Sequence, residues 1–513
     1  MIDFSALAKP TGFSGACKEV TDIYRRRLVA DFIACCRLLA EESPELVELT
    51  GFLEYFHQLS KLSGETISWL FRLPIMAFWC DVLRKLIARR TYRYLAPGHP
   101  TVHLREFGRF VLAAYLYQGL QAEIKVRLDR DGRLYLPGLK GVLICPKRLR
   151  LAELTAQLDQ KCLILKSVDG EAVTVERPHI LEGRQRLTKT GWCLANGFQY
   201  RYLPVAHNLF EISNEDQYLR LPERVSYTFE PLTKPTKNRW VTSIEQAWDI
   251  VRSTDPLVAD EIAHIIDVMV PVVSERPDVH TSSSFPELPG GFYISWHPDV
   301  LVLAEAIVHE YHHIKLNMIL EIDPIITGGT EEAVFYSPWR DDPRPLSGLL
   351  HAVYAFSGVT RFWLDYMGQL GDQLNPLRTH GIPHRVVKSL LQLEYAIASL
   401  RQHTSFTQEG MRLVESLSQE FLRMKDHRPT LSASDEAFIC QSLQNHFERW
   451  QQRQRATQTP GWVERKPHIV EAPAIGAASS QWTVGSIGLE LSNEPKAPIL
   501  TNQAPLRKGH SRF

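Results

Sequence analysis

The chain has 513 residues, 44% of them hydrophobic and 23% charged, which is ordinary for a globular protein of roughly two to four domains. Lysine plus arginine and aspartate plus glutamate each number 58, so the formal net charge is zero. A protein that binds nucleic acid or an anionic membrane through its general surface needs positive charge, and we therefore expect neither partner.

Eight cysteines are scattered along the chain and none forms a C-x-x-C pair, a distribution typical of free thiols in a reducing compartment. The first residues do not combine a basic segment with a following apolar one, as a secretory signal would. No stretch reaches the about 18 uninterrupted apolar residues that a membrane-spanning helix needs. These features predict a cytoplasmic protein.

Apolar residues recur at helical spacing over residues 1–120, which predicts a helical N-terminal region. The pattern then changes to alternating apolar and polar residues, with Asp-Gly turns at 131–132 and 169–170. This alternation predicts a β-rich region over 121–232. The polar segment TKPTKNRW at 233–240 is typical of a linker.

Helical spacing returns over 241–454, with a break near Asp255-Pro256 and a strand predicted in the segment GFYISW. Helices are expected at 346–366, 384–402, 407–427 and 433–454. Residues 455–513 are rich in Pro, Ser, Gln, Asn and Gly, which predicts a disordered tail. The whole pattern predicts an α+β fold that is mainly α, and not a cupin or jelly roll.

The most informative segment is an H-E-x-x-H motif formed by His309, Glu310 and His313. Four-residue spacing on a helix puts both histidines on one face, so both rings can reach a single ion. Neutral imidazole binds zinc, copper, iron and nickel. Flanking apolar residues at helical spacing, after Pro298 and before Pro324, predict that the motif lies in the middle of a buried helix. The alternative is two core histidines with an incidental glutamate.

The protease continuations of this motif can be tested directly in the sequence. A metzincin has Gly three residues and His six residues after the second histidine, where this chain has Leu316 and Ile319. A thermolysin-like enzyme takes a Glu from a later helix, usually in N-E-x-x-x-E, and no such motif follows. Glu331 and Glu332 are available, but they lie in a Gly-rich segment.

His351 is the best candidate for a third ligand. It lies 38 residues after His313 (351 − 313), in a segment with helical spacing that could pack against the first helix. A lone histidine in an apolar helix is more often a core residue with satisfied hydrogen bonds. The upstream motif shifts that balance towards a metal ligand.

Between the two histidine-bearing helices lies the segment PWRDDPRP, which contains Arg340 and Arg344. Arginine binds carboxylates in a bidentate manner, so either residue could recognise an acidic ligand. The alternative is a solvated turn in which the arginines form local salt bridges with Asp341 and Asp342.

Two stretches carry a resemblance to a known family: SSSFPELPGGFYISWHPDVLVLAEAIVHEYHH and YSPWRDDPRPLSGLLHAVYAFSGVTRFW. They resemble the H-E-x-x-H peptide-modification family. Its members are iron- and 2-oxoglutarate-dependent β-hydroxylases that act on ribosomally synthesised and post-translationally modified peptides (RiPPs). The resemblance is strong over about residues 280–370. Elsewhere it is weak and concerns only the general architecture. H-E-x-x-H together with PWRDDPRP and LLHxxYAF is more specific than the motif alone.

The resemblance implies a dioxygenase that uses Fe(II), with 2-oxoglutarate and O2 as co-substrates, on a precursor peptide with or without a leader. His309, His313 and His351 would hold the iron, and three positions would stay open. Arg344, or else Arg340, would pair with the distal carboxylate of 2-oxoglutarate.

The role of Glu310 is open in this reading. It is the general base in a zinc protease, whereas in an oxygenase it would orient a ligand or bind iron itself. Glu305, one turn earlier, is another candidate for orienting a ligand. The iron set could also be two histidines and one carboxylate, with Asp341 or Asp342 in place of His351.

Two other functions compete with the oxygenase. The motif alone supports a zinc metallopeptidase that uses Zn(II), although the protease third ligand is missing. The length of chain outside the site supports a non-catalytic peptide-binding maturation partner, in which the first 240 residues hold a leader or another protein. An edge strand within 121–180 could take a leader peptide by β-augmentation. The sequence does not fix the oligomeric state.

Overall fold

The computed structural model describes residues 2–88, 100–176, 191–193, 198–220, 227–274, 279–327, 335–371 and 381–457. Helices lie at both ends of the chain and sheets lie in its middle. The predicted α+β fold, mainly α, is therefore confirmed.

Within the described residues, seven helices form the N-terminal region. They are α1 (Gly15–Glu42), α2 (Pro44–Thr50), α3 (Phe52–Leu59), α4 (Gly64–Leu70), α5 (Pro74–Ile87), α6 (Pro100–Arg105) and α7 (Phe107–Gln118), after a 3-10 helix at Phe4–Ala8. Helix α7 ends at Gly119, whose φ of 90° is the left-handed conformation that a glycine adopts without a steric penalty. Aromatic and aliphatic residues of α3, α5 and α7 form the centre of a first hydrophobic core.

Two antiparallel four-stranded sheets follow, in the orders β1-β4-β5-β6 and β2-β3-β8-β7. Their strands are β1 (Ala122–Arg127), β2 (Arg133–Leu136), β3 (Gly141–Ile144), β4 (Glu153–Leu158), β5 (Cys162–Ser167), β6 (Ala172–Glu176), β7 (Gly191–Cys193) and β8 (Gln199–Tyr202). The predicted turn at 169–170 joins the paired strands β5 and β6. The turn at 131–132 instead carries the chain from one sheet to the other, since β1 pairs with β4 and β2 with β3.

A six-stranded sheet separates two hydrophobic cores. Its strands are β9 (Val205–Ala206), β10 (Phe210–Ile212), β11 (Thr228–Phe229), β12 (Val268–Val273), β13 (Ser282–Ser284) and β14 (Gly291–Ser295), in the order β13-β14-β12-β10-β9 with β11 beside β12. Strands β10, β12 and β14 run parallel. Val270 and Tyr293 lie in the first core, whereas Met269, Phe292 and Ile294 lie in the second. Burial on both faces is typical of parallel strands, and β14 confirms the strand predicted in GFYISW.

The second core is mainly helical. Its elements are α8 (Lys234–Thr254), α9 (Pro256–Ile265), α10 (Val300–Ile322), the hairpin β15 (Phe335–Ser337) and β16 (Arg340–Arg344), α11 (Leu346–Leu370), α12 (Gly381–Arg401), α13 (Gln408–Asp426) and α14 (Ala433–Thr457). The last four helices agree with their predicted positions, and the chain breaks at Asp255-Pro256 as expected. The tail predicted from residue 455 begins inside α14, and residues 458–513 lie outside the described ranges.

The linker predicted at 233–240 is wrong, because these residues form the start of α8. The Thr233 side chain caps the helix by accepting a hydrogen bond from the amide of Thr236, and Pro235 occupies the first turn. Trp240 is fully buried in the second core. Polar composition indicated a linker, whereas the cap, the proline and the buried tryptophan together favour a helix.

The first residues of the chain pack with the C-terminal helices. Phe4, Leu7 and Cys17 lie in the second core, and the Tyr354 hydroxyl donates a hydrogen bond to the carbonyl of Leu7 at 2.6 Å. The N-terminal region therefore contributes to both cores. Within the described ranges, no single helix is both long and apolar enough to cross a membrane, and only the bent pair α4 and α5 meets that test when taken together.

Candidate metal centre

The H-E-x-x-H motif lies in the middle of α10, as predicted. Asp299 caps the helix by accepting a hydrogen bond from the amide of Leu301, so Pro298 lies just before the cap rather than in the first turn. The helix is buried around most of its circumference, including His309 and Glu310. A helix that is apolar on nearly all sides is typical of the centre of a large core.

Helix α11 brings His351 against the motif. Nε2 of His309 lies 3.0 Å from Nε2 of His313, and Nδ1 of His313 lies 3.3 Å from Nδ1 of His351. The three predicted ligand histidines are therefore neighbours, although 38 residues separate the last two. The packing of α10 on α11 produces this arrangement.

Burial keeps the three imidazoles neutral. It lowers the pKa of His309 to about 4, and burial together with the Arg344 charge lowers the pKa of His351 to about 4. The pKa of His313 falls well below its usual value, chiefly by burial and then through His309 and His351. Neutral imidazole is the form that binds metal ions.

The spacing of two rings fits a shared ion. Nitrogen ligands about 2.1 Å from one ion stand roughly 3.0 Å apart when they meet at a right angle, which is the spacing of His309 and His313. The His313 ring, however, presents its other nitrogen to His351. Within the described ranges, no group of three or more His, Cys, Asp or Glu side chains converges on a point where an ion could be held. His351 would have to turn towards the other two rings to complete a three-histidine set.

Glu310 faces strand β13. Its side chain is buried, and Oε1 accepts a hydrogen bond of 2.6 Å from the Ser282 hydroxyl. Sequence reasoning missed Ser282, because a serine in a Ser-rich segment carries no signal of its own. The contact fixes one oxygen of Glu310 against strand β13.

The hydrogen bonds of the Glu305 side chain go to neighbouring helices and not to the three histidines. Its Oε2 accepts hydrogen bonds from Trp363 Nε1 at 2.9 Å and from Arg385 Nη1 at 2.6 Å. Burial raises the pKa of Glu305, and Arg385 opposes that rise. Because Trp363 is on α11 and Arg385 is on α12, Glu305 joins both helices to α10.

The β15–β16 hairpin carries both candidate arginines. Arg340 Nε donates to Asp342 Oδ1 at 2.9 Å, and Arg344 Nη1 donates to Asp342 Oδ2 at 3.2 Å. These are the local salt bridges expected if the segment were only a solvated turn. The Arg344 charge lowers the pKa of both His313 and His351, so its guanidinium acts electrostatically on two of the three histidines.

The two hairpin aspartates have partners away from the histidines. Asp341 pairs with His446 Nε2 at 3.3 Å and with Arg453 Nη1 at 3.0 Å, both on α14. Asp342 pairs with the two arginines of its own hairpin. Both side chains are about half exposed, at 48% and 50%. These contacts weigh against either aspartate as a metal ligand.

An aromatic stack of Trp339 and Phe356 meets His309 through the Phe356 ring. Trp339 stacks on Phe356 with centroids 4.6 Å apart and planes 2° apart, and Phe356 meets the His309 ring edge-on at 5.0 Å. Such a stack limits water access to the ring. Sequence reasoning did not single out either aromatic residue.

His312 points to a different contact. Its Nδ1 donates to the carbonyl of Val308 at 2.7 Å, and its ring lies against Gly358 of α11. A Cβ on Gly358 would stand 2.2 Å from the ring. His312 therefore packs the interface of α10 and α11 and takes no part in the contacts among the other three histidines.

Glu331 and Glu332, the remaining carboxylates considered for a protease site, lie outside the described residues. No protein-family model and no curated protein matches this chain. The resemblance to the peptide-modification family therefore stays a prediction from the motif residues between about 280 and 370.

Proposed function

We propose that this chain is an Fe(II)- and 2-oxoglutarate-dependent dioxygenase that hydroxylates a side-chain β-carbon in a ribosomally synthesised peptide. The observation that carries the proposal is the contact among three neutral imidazoles, His309, His313 and His351, beside the Arg344 guanidinium. A histidine set next to a cation suits a metal that also binds an anionic co-substrate.

His309 and His313 would bind Fe(II) through Nε2, and His351 would complete the set. Fe(II) with 2-oxoglutarate and O2 supplies an oxidant able to attack an unactivated carbon, while 2-oxoglutarate leaves as succinate and CO2. A redox-inactive d¹⁰ ion such as Zn(II) cannot supply this chemistry.

Arg344 would bind the distal carboxylate of 2-oxoglutarate. Asp342, one partner of the Arg344 guanidinium, is half exposed, and ion pairs of that kind contribute little stability. The carboxylate of the co-substrate can therefore replace Asp342 at small free-energy cost. Arg340 shares Asp342 and is the second choice.

The surrounding residues would position the metal ligands and exclude water from them. Phe356, backed by Trp339, packs against His309, and Glu305 holds α10 to its neighbours through Trp363. Glu310, held by Ser282, would orient the metal ligands or the substrate rather than activate water. We further propose a cytoplasmic enzyme whose substrate is a precursor peptide, with its leader held elsewhere on the chain.

A zinc metallopeptidase is the second candidate. The observation that favours it is the buried Glu310 carboxylate next to His309, which is the arrangement of a general base that activates water. The missing protease continuations at Leu316 and Ile319 weigh against it.

Anaerobic reconstitution with Fe(II) or with Zn(II) separates the candidates. The loaded protein is exposed to air with 2-oxoglutarate, with and without a short peptide encoded beside its gene, and succinate and peptide mass are measured. We expect succinate only with Fe(II), and a peptide mass increase of one oxygen atom. Peptide cleavage with Zn(II) and no succinate would refute the oxygenase. The absence of both reactions, with peptide binding retained, would favour a non-catalytic maturation partner.

A further inference from the structure

Strand β13 is the terminal strand of the six-stranded sheet. Among the described strands it pairs with β14 alone, through Ser282 with Ile294 and Ser284 with Phe292. A terminal strand presents a row of backbone donors and acceptors on which another strand can form. All three of its serines are partly accessible.

The register shows which backbone groups point outward. The Ser295 amide donates to the Thr281 carbonyl at 2.8 Å, and the Thr281 amide donates to the Ser295 hydroxyl, so the backbone groups of Thr281 face β14. Antiparallel pairs alternate, and the bonding positions therefore fall at Thr281 and Ser283. The N–H and C=O groups of Ser282 and Ser284 consequently point away from β14. In the described part of the chain, no backbone group pairs with them.

This edge adjoins the candidate metal centre. Ser282 and Ser284 lie on the sheet face that is shared with Phe292 and Ile294, both of which pack in the core of α10. The Ser282 hydroxyl bonds Glu310, the residue that follows His309. An extended chain paired with β13 would therefore pass beside the motif.

We propose that the outer edge of β13 binds an extended segment of the peptide substrate as an added strand. The substrate role depends on the proposed function, whereas the binding mode depends only on the sheet. The edge is three residues long, about 10 Å at 3.3 Å per residue. That length suits a short peptide better than a second copy of the protein, which needs a larger contact. Because β13 carries only serines, recognition here is through the main chain.

The test uses a random nonapeptide library, displayed on its encoding mRNA and selected on the Fe(II)-loaded full chain under anaerobic conditions. Selected peptides are then measured against Ser284→Pro and Ser284→Ala. Proline removes the outward amide, whereas alanine keeps it. We expect roughly five- to tenfold weaker binding to Ser284→Pro, which loses one hydrogen bond, and near-wild-type binding to Ser284→Ala.

A second measurement does not depend on the folding of a variant. Each backbone amide of a selected peptide is N-methylated in turn and its binding to the wild-type protein is measured. Weakening at every second position, over about three to five residues, is expected of strand pairing. Uniform sensitivity, equal binding by the two Ser284 variants, or the failure of any peptide to be enriched would overturn the proposal.

Succinate release in the absence of peptide separates this proposal from the function. Iron-dependent succinate without alternating methylation sensitivity would refute the binding edge and leave the oxygenase intact. Alternating sensitivity without succinate would support the edge and refute the oxygenase.

Discussion

Gly358 decides how closely α11 approaches α10. A Cβ at this position would lie 2.2 Å from both Cε1 and Nε2 of the His312 ring, far inside van der Waals contact. His312 is buried and is held by its hydrogen bond to the carbonyl of Val308. Neither helix can yield without moving the histidines, because α10 carries His309 and His313 and α11 carries His351.

We predict that Gly358→Ala destabilises the protein by about 1–2 kcal/mol. Replacing a helical glycine with alanine normally stabilises by roughly 0.5–1 kcal/mol. Inserting a methyl group into a packed core costs roughly 1–3 kcal/mol. The clash with His312 involves a ring already fixed by a hydrogen bond, so the packing penalty should exceed the gain in helix propensity. The affinity for Fe(II) should fall as well.

Gly368 provides a matched control in the same helix. It is exposed, and no described atom lies within 4 Å of a Cβ placed there. Gly368→Ala should therefore stabilise by roughly 0.5–1 kcal/mol. Urea unfolding of both variants, followed by circular dichroism, gives the difference.

The double variant Gly358→Ala with His312→Ala isolates the contact. Removing the ring makes room for the methyl group, so the two changes should couple by at least about 1 kcal/mol in a double-mutant cycle. If Gly358→Ala is as stable as Gly368→Ala, or if the cycle shows no coupling, the packing argument is refuted.

Three further predictions concern single side chains. His351→Ala should abolish tight Fe(II) binding, measured by equilibrium dialysis, whereas the control His312→Ala should retain it. Equal Fe(II) affinity of the wild type and His351→Ala would remove His351 from the ligand set. Arg344→Gln should raise the KM for 2-oxoglutarate about tenfold or more in the succinate assay, whereas Arg340→Gln should raise it less than about threefold. If Arg340→Gln has the larger effect, Arg340 is the arginine that binds 2-oxoglutarate. Burial lowers the pKa of His103 from 6.5 to about 3, so the unfolded chain binds one more proton there between these values and the free energy of unfolding falls as pH drops below about 6.5. His103→Asn should reduce that slope by up to about one proton in urea titrations at pH 7 and pH 5, and an unchanged slope would contradict the assignment.

Local patterns of residues were sufficient to predict many helices and strands of this protein. Apolar spacing placed α11 to α14, and alternation placed β14, since both periods are properties of neighbouring residues. The sequence also determined that His309 and His313 share a helix face. Prediction failed where composition outweighed local signals, as at 233–240, where Thr233 and a proline begin a helix.

Contacts between residues far apart in the chain could not be predicted in this way. The contact of His313 with His351, the bond from Ser282 to Glu310 over 28 positions, and the proximity of Arg344 depend on how α10, α11, β13 and the hairpin pack. Hydrophobic periodicity predicts which face of a helix or strand is buried, but it does not predict which other element packs against that face. A glycine such as Gly358 likewise gains its meaning only from the ring that packs against it.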